Sequence, residues 1–399
     1  MKNVKTVDKD CYACGICSIV CPKSCINFSF DDKKGRFAVS VSDSLCIECG
    51  KCLKVCPVLS SDKVYEGKSA LGITKNAYAA YSKDEEVRKH AASGGFITSF
   101  LCYLLDSGKC DGVLLSQRKG ITGQSFIAKS STEVLSSKSS IYAPVDYANG
   151  VRMLLNTDCK RLAVVGLPCQ IQALENLEKI NRRVADKITL KVSIVCGKTP
   201  TTHAYKYIAK QIGFNYNSIK SVVNRGEGWP GYLKISHSEG VYKTPYRSSL
   251  SMGMVLSSPY LCNRGCLSCV DGVGLTVDLV VCDAWTSKYT GSKSDGWNFV
   301  LTKTALAESI FQEKGFDKYI YAEPESIDNF YKANKRVINK GAIGNMMRAE
   351  GHRIHNSYSP SLKYRAHIVL LKLTTRFFNP INISKAQLLI GKIINKLKD

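Results

Sequence analysis

The chain has 399 residues, with 56 lysines and arginines against 33 aspartates and glutamates for a formal charge of +23, and 18 cysteines. A chain of this length builds a core without covalent staples, so its clustered cysteines point to metal or catalysis in a reducing compartment and not to a secreted disulfide scaffold. The longest apolar stretches, such as Ile97 to Leu105, fall well short of the ~18 residues that cross a bilayer, and no apolar leader follows the start, so a cytoplasmic protein is expected. About half of the excess charge lies in residues 331–399, which hold 14 basic and 2 acidic residues. With no RNP-like, helix-turn-helix or finger pattern beside it, nucleic-acid binding is not expected.

The first predicted unit spans residues 1–62. Cys11-Tyr-Ala-Cys14-Gly-Ile-Cys17-Ser-Ile-Val-Cys21-Pro22 and Cys46-Ile-Glu-Cys49-Gly-Lys-Cys52-Leu-Lys-Val-Cys56-Pro57 repeat one pattern in register. The spacing is that of a two-cluster bacterial ferredoxin, in which three close thiolates wrap one iron–sulfur cube and the fourth completes the other. One 4Fe-4S cluster is therefore assigned to Cys11, Cys14, Cys17 and Cys56, and the second to Cys46, Cys49, Cys52 and Cys21. Cys25 fits neither repeat and reads as a small buried residue. Between the repeats, Phe28–Phe30 and Arg36–Val41 flank a polar turn and predict a hairpin.

A polar linker from Lys63 to about Asn76 leads into a mixed α/β pattern. Ser93-Gly94-Gly95 opens an apolar helix that carries Thr98 and runs to Leu105, and Asp111–Ser116 follows as a strand. Free amides at such a helix start suit a phosphate-bearing cofactor, although an N-cap with two glycines gives the same pattern. No Gly-x-Gly-x-x-Gly follows a strand, which argues against a Rossmann site. Arg161–Gly166 predicts a buried strand leading into Cys169 and a helix to about Lys179. Ile188–Val195 predicts a second one, leading into Cys196 and a helix from about Thr201. Parallel strands joined in this way put both cysteines on one rim of the sheet, where α/β folds bind ligands.

Cys262, Cys266 and Cys269 precede a further strand, Val277–Cys282. Cys169, Cys196, Cys266 and Cys269 together make four thiolates for a third 4Fe-4S cluster or a zinc, with Cys262 competing for a place. Thiolates gathered from three distant segments beside a ferredoxin unit favour the iron–sulfur cluster. The Cys262, Cys266, Cys269 spacing is also that of radical enzymes using S-adenosylmethionine, but too few residues follow it for the barrel they need. Cys102, Cys110, Cys159 and Cys282 lie in apolar runs and read as core. His90 stands near the Ser93 turn, within reach of a cofactor there, and as a lone histidine it carries no catalytic assignment.

Ala92-Ser-Gly-Gly-Phe-Ile-Thr98, Val165-Gly-Leu-Pro-Cys-Gln170, Val195-Cys-Gly197, Asn224-Arg-Gly-Glu-Gly-Trp-Pro-Gly231, Cys266-x-x-Cys269-x-Asp271 and Asp278-Leu-Val-Val-Cys-Asp-Ala-Trp285 occur in that order. In these stretches the chain resembles the coenzyme F-420 hydrogenase/dehydrogenase beta-subunit family, of the kind fused to a two-cluster ferredoxin. The resemblance implies FAD held by loops including Ser93, Gly94, Gly95 and Thr98, and a 4Fe-4S cluster on Cys169, Cys196, Cys266 and Cys269. It divides the body into a flavin-binding region at 77–155 and a cluster and flavin region at 156–330. Cys282 stands where the family commonly has glycine, and Cys262 is extra. The Gly228-Trp229-Pro230-Gly231 form resembles a bacterial branch found in surface-polysaccharide contexts.

The expected fold is therefore mixed α/β: a ferredoxin-like two-cluster domain, an α/β flavin and iron–sulfur domain, and a basic helical tail at 331–399. In that tail Ala386, Leu389, Ile390, Ile393 and Leu397 share one helical face opposite Lys385, Lys392 and Lys396. That face suits packing on the domain, an acidic partner, or peripheral contact with the anionic inner face of the membrane. The expected function is a FAD-dependent iron–sulfur oxidoreductase that takes electrons from a redox donor protein to a small-molecule substrate. The competing expectation is a non-catalytic electron-transfer subunit docked on a partner enzyme.

Overall fold

The computed structural model describes residues 3–338 except 61–70, 138, 249, 252, 254–257, 259 and 291–294. Both cysteine loops of the N-terminal unit turn through a left-handed glycine, Gly15 (φ 77°) and Gly50 (φ 71°). Each of these starts a single helical turn, Ile16–Ile19 and Lys51–Lys54. Glycine is the residue that adopts this conformation without a steric penalty. Between the loops, β1 (Ile26–Asp31) and β2 (Arg36–Val41) form the expected antiparallel hairpin, with Phe30 opposite Phe37.

The body is built on a nine-stranded sheet in the order β14-β3-β13-β12-β8-β7-β4-β5-β6. Its strands are β3 (Asn76–Ser82), β4 (Gly112–Lys119), β5 (Thr122–Ala128), β6 (Val145–Asp146), β7 (Leu162–Gly166), β8 (Ile188–Ile194), β12 (Leu279–Asp283), β13 (Asn298–Thr302) and β14 (Ile320–Glu325). The four middle strands β12, β8, β7 and β4 are parallel, and antiparallel strands flank them. Every residue of β7 and of β13 is buried, as expected of strands covered on both faces.

Alternation along the strands feeds two cores. Val164, Val280 and Leu301 pack with the helices Tyr147–Asn156, Pro168–Glu178 and Ile327–Ile338. Val165, Val281 and Val300 pack with Phe96–Asp106 and Ala305–Phe311 on the other side. Cys14, Ile16 and Val55 of the N-terminal unit belong to the first of these cores, so that unit is packed into the body. A three-stranded sheet, β11 (Gly240–Pro245), β10 (Tyr232–His237) and β9 (Ser221–Val223), has its own core with the helix His203–Ile212.

The mixed α/β architecture expected from the sequence is the one observed. The helix Ile327–Ile338 runs across the expected boundary at residue 331 and buries Phe330, Asn334 and Ile338. The amphipathic tail segment around Lys385 to Leu397 lies outside the described residues. Among the described residues no helix is long and apolar enough to cross a membrane.

Candidate functional site

The parallel strands deliver the cysteines that follow them to one rim. β7 runs into Pro168 at the first turn of the next helix, where the Leu167 amide donates to Gln170 Oε1 at 2.8 Å and fixes the turn that carries Cys169. Beyond β8, the Cys196 amide donates to the Gly272 carbonyl at 2.8 Å. Cys266 sits in a 3-10 turn, Arg264–Leu267, and its sulfur accepts from the Thr199 amide at 3.4 Å. Cys269 is buried and its thiol donates to the Asp271 carbonyl at 3.3 Å. Asp271 Oδ1 in turn holds the amides of Val273 and Gly274 at 2.8 Å each. Burial holds the Cys169 thiol well above its ordinary value, and the neighbouring thiols of Cys269, Cys196 and Cys266 push it further.

All four of these thiols line one cavity of about 680 Å³. Cys262 does not; it is buried, and its backbone bridges to Pro200. Four sulfur donors without a carboxylate among them suit an iron–sulfur cube. Among the described residues no group of three or more His, Cys, Asp or Glu side chains is set to hold a single metal ion.

The ferredoxin-type thiols form two further groups. The Cys14 thiol is pushed up to about 12 by burial, with Cys56 and Cys11 adding to it. Cys17 is raised by burial and then by Cys14, Cys11 and Cys56. Cys21, Cys46, Cys49 and Cys52 instead surround a separate small cavity beside Gly50. Cys56 thus lies near the first group and Cys21 lines the cavity of the second. Cys25 also lines that small cavity.

The first group adjoins the body: Cys14 adds to the rise at Cys169, and Asn263 Nδ2 donates to the Cys11 carbonyl at 3.1 Å. Gly265 makes this joint close, because a Cβ there would stand 2.4 Å from the Cys11 carbonyl oxygen and 2.6 Å from that of Asp10.

Ser93, Gly95 and Thr98 line the large cavity, whereas Gly94 backs onto the sheet. A Cβ at Gly94 would meet the Ala80 carbonyl oxygen at 2.9 Å and the Asn298 amide nitrogen at 3.0 Å. The expectation of free amides at this helix start needs revision, since the Phe96 amide donates to Asn298 Oδ1 at 3.1 Å. Ser93 Oγ donates to the Trp297 carbonyl at 2.6 Å. The Ser-Gly-Gly sequence is thus used for close packing of the helix start on β3 and β13 as well as for a cavity wall. His90 is not part of that wall; it is half-buried, with Nδ1 2.9 Å from the Glu86 carbonyl oxygen.

Several wall residues had no assigned role in the sequence. Arg225 is buried, its Nη1 lies 2.5 Å from Asp283 Oδ2, and its Nε donates to the Pro230 carbonyl at 3.0 Å. Its guanidinium also stands 4.7 Å over the Tyr246 ring. Burial works against that charge, and Asp283 more than offsets it. Arg225 and Asp283 both fall in stretches that carried the family resemblance, so the pattern marked them without saying why. Arg36 and Phe37, from the ferredoxin-type hairpin, also line the cavity, and no local signal in the sequence marks them. Cys282 lines it too, as a buried thiol raised by burial, with its sulfur accepting from Asn334 Nδ2 at 3.1 Å.

Residues 10–59 match a 4Fe-4S dicluster domain, residues 77–151 the N-terminal region of the coenzyme F420 hydrogenase/dehydrogenase beta subunit, and residues 159–327 its C-terminal region. The chain belongs to that beta-subunit family. Among relatives in the family, the coenzyme F420 hydrogenase subunit beta of Methanothermobacter thermautotrophicus is 26% identical over 61% of this chain and 82% of its own. The coenzyme F420-dependent sulfite reductase of Methanocaldococcus jannaschii is 32% identical over 54% of this chain, and the match takes in 33% of that longer protein. A chain of the F420-reducing [NiFe] hydrogenase complex from Methanosarcina barkeri superposes with a TM-score of 0.55, covering 73% of this chain and 99% of that one at 20% identity. At that identity the likeness is one of fold.

Proposed function

We propose that this protein is an iron–sulfur oxidoreductase whose twelve assigned cysteines hold three 4Fe-4S clusters and whose large cavity holds FAD and a small substrate. The single observation that carries the reading is the shared cavity: Cys169, Cys196, Cys266 and Cys269 line the same space as Ser93, Gly95 and Thr98. Bound clusters supply one-electron transfer, and a bound flavin joins that to two-electron hydride chemistry.

The chain's own residues supply the rest. Arg225, its charge balanced by Asp283 on the same cavity lining, is a fixed N–H donor there, and Arg36 adds a positive charge, which suits an anionic ligand. The packing of Cys14 against the Cys169 neighbourhood keeps the ferredoxin-type unit in register with the cavity.

The names of the relatives favour electron exchange within F420-linked systems, and "subunit beta" favours work beside a partner enzyme. A deazaflavin carrier is therefore a reasonable candidate for the substrate position. The Gly228-Trp229-Pro230-Gly231 form is the feature that supports a substrate in surface-polysaccharide metabolism.

Anaerobic purification followed by iron, sulfide and flavin analysis tests the reading. About 12 iron atoms with one FAD per chain is the expected result. About 8 iron atoms and no flavin would leave a two-cluster relay that docks on a partner, and would remove both the third cluster and FAD. Cys266→Ala should lose about four iron atoms while the ferredoxin-type signals persist.

A further inference from the structure

Cys25 belongs to neither cysteine repeat, yet its sulfur lies 3.2 Å from Cys21 Sγ. It lines the same small cavity as Cys21, Cys46, Cys49 and Cys52. Five thiols therefore surround a place where a cube takes four.

The local backbone produces this arrangement. The Ser24 amide donates to the Cys21 carbonyl at 3.1 Å, and Ser24 adopts a left-handed φ of 47°. A residue with a side chain takes that conformation at a cost, so the surrounding contacts must hold it there. The turn brings the Cys25 amide to 3.4 Å from Cys21 Sγ. The Cys25 carbonyl then accepts from Ser42 at 2.9 Å, which ties the turn to the end of the hairpin. A cysteine that only filled space would need neither the sulfur contact nor a share of the cavity wall.

We propose that Cys25 is a reserve ligand, so that either Cys21 or Cys25 completes the four-thiolate set with Cys46, Cys49 and Cys52. The inference rests on the reading above, that these thiols hold a 4Fe-4S cluster. A swap exchanges one iron–sulfur bond for another and moves one proton from the Cys25 thiol to the departing Cys21 thiolate. The electron count does not change.

The test uses the full chain, purified anaerobically, as wild type, Cys21→Ala, Cys25→Ala and the double variant. Iron and sulfide content are measured, together with the electron paramagnetic resonance of the reduced protein. Either single variant should keep the wild-type iron, with altered resonance lines in Cys21→Ala, and the double variant should lose about four iron atoms. Cys21→Ala losing as much iron as the double variant would overturn the proposal, and so would Cys25→Ala losing it alone.

If Cys21→Ala does not fold, as judged by its far-ultraviolet circular dichroism, the decision falls to Cys25→Ala. That variant should release about four iron atoms to a chelator several-fold faster than wild type, because a departing Cys21 has no replacement; an equal rate would overturn the proposal. A wild-type chain without iron would instead sink the cluster assignment itself, and this inference with it.

Discussion

Arg225 is a charge that folding has taken out of water. Its side chain is 2% exposed and that of Asp283 is 18% exposed, so each depends on the other. Removing one partner of a buried pair strands the other, at a cost of about 3–5 kcal/mol, whereas replacing both by apolar groups costs far less. Asp283→Asn should accordingly lower the urea midpoint of the purified protein strongly. Arg225→Met combined with Asp283→Leu should recover most of the loss. A loss in the double variant equal to the sum of the losses in Arg225→Met and Asp283→Leu alone would mean that the pair adds no coupling. The sequence displayed both residues inside recognisable stretches, but 58 positions separate them, and only folding made them partners.

At the scale of elements, the helix Ile327–Ile338 shows how a boundary drawn on charge goes astray. Its exposed Lys332, Lys335 and Arg336 read as the beginning of a basic tail, while Phe330, Asn334 and Ile338 on its other side are buried against the sheet. Phe330 is fully buried and meets the Phe299 ring at 6.4 Å. Phe330→Ala should cost about 3–5 kcal/mol in a urea titration followed by tryptophan fluorescence; a loss under about 1 kcal/mol would place this helix outside the core.

The helix start at Gly94 makes a second prediction at this scale. Gly94→Ala puts a methyl against the backbone of β3 and β13, so it should disturb the start of Phe96–Asp106 and weaken whatever the cavity binds. FAD affinity by fluorescence titration, compared between Gly94→Ala and wild type, checks this. An unchanged affinity would mean that the helix start moves without consequence for the cavity wall.

For the molecule as a whole, the ferredoxin-type unit is part of the body's core and of its cavity wall. The joint depends on Gly265, whose missing side chain lets the Cys266 turn touch the backbone of Asp10 and Cys11. Both atoms a Cβ would strike are backbone carbonyl oxygens, which cannot step aside as a flexible side chain can. Gly265→Ala should therefore loosen the joint, with faster amide exchange in residues 3–20 and the body's central strands unaffected. Exchange that rises everywhere would point to global destabilisation instead.

The tail is a separate matter of charge. Deleting residues 380–399 should reduce sedimentation with anionic liposomes if that segment contacts membranes, and no sedimentation of the intact chain would end the idea.

The sequence by itself determined the local chemistry. The doubled cysteine spacing specified a 4Fe-4S dicluster domain, because three of the four cysteines in each repeat lie within one short loop. The apolar runs of β7 and β8 specified parallel strands that bring Cys169 and Cys196 to one rim. Only the tertiary structure decided what depends on approach between distant segments. It brought Cys266 and Cys269 to that rim and left Cys262 off the cavity wall. It turned the Ser93 helix start partly toward the sheet, and it set Arg36 and Arg225 around one cavity. Spacing encodes what neighbours along the chain can do together, whereas these contacts are chosen by burial and close packing, which no short window of sequence contains.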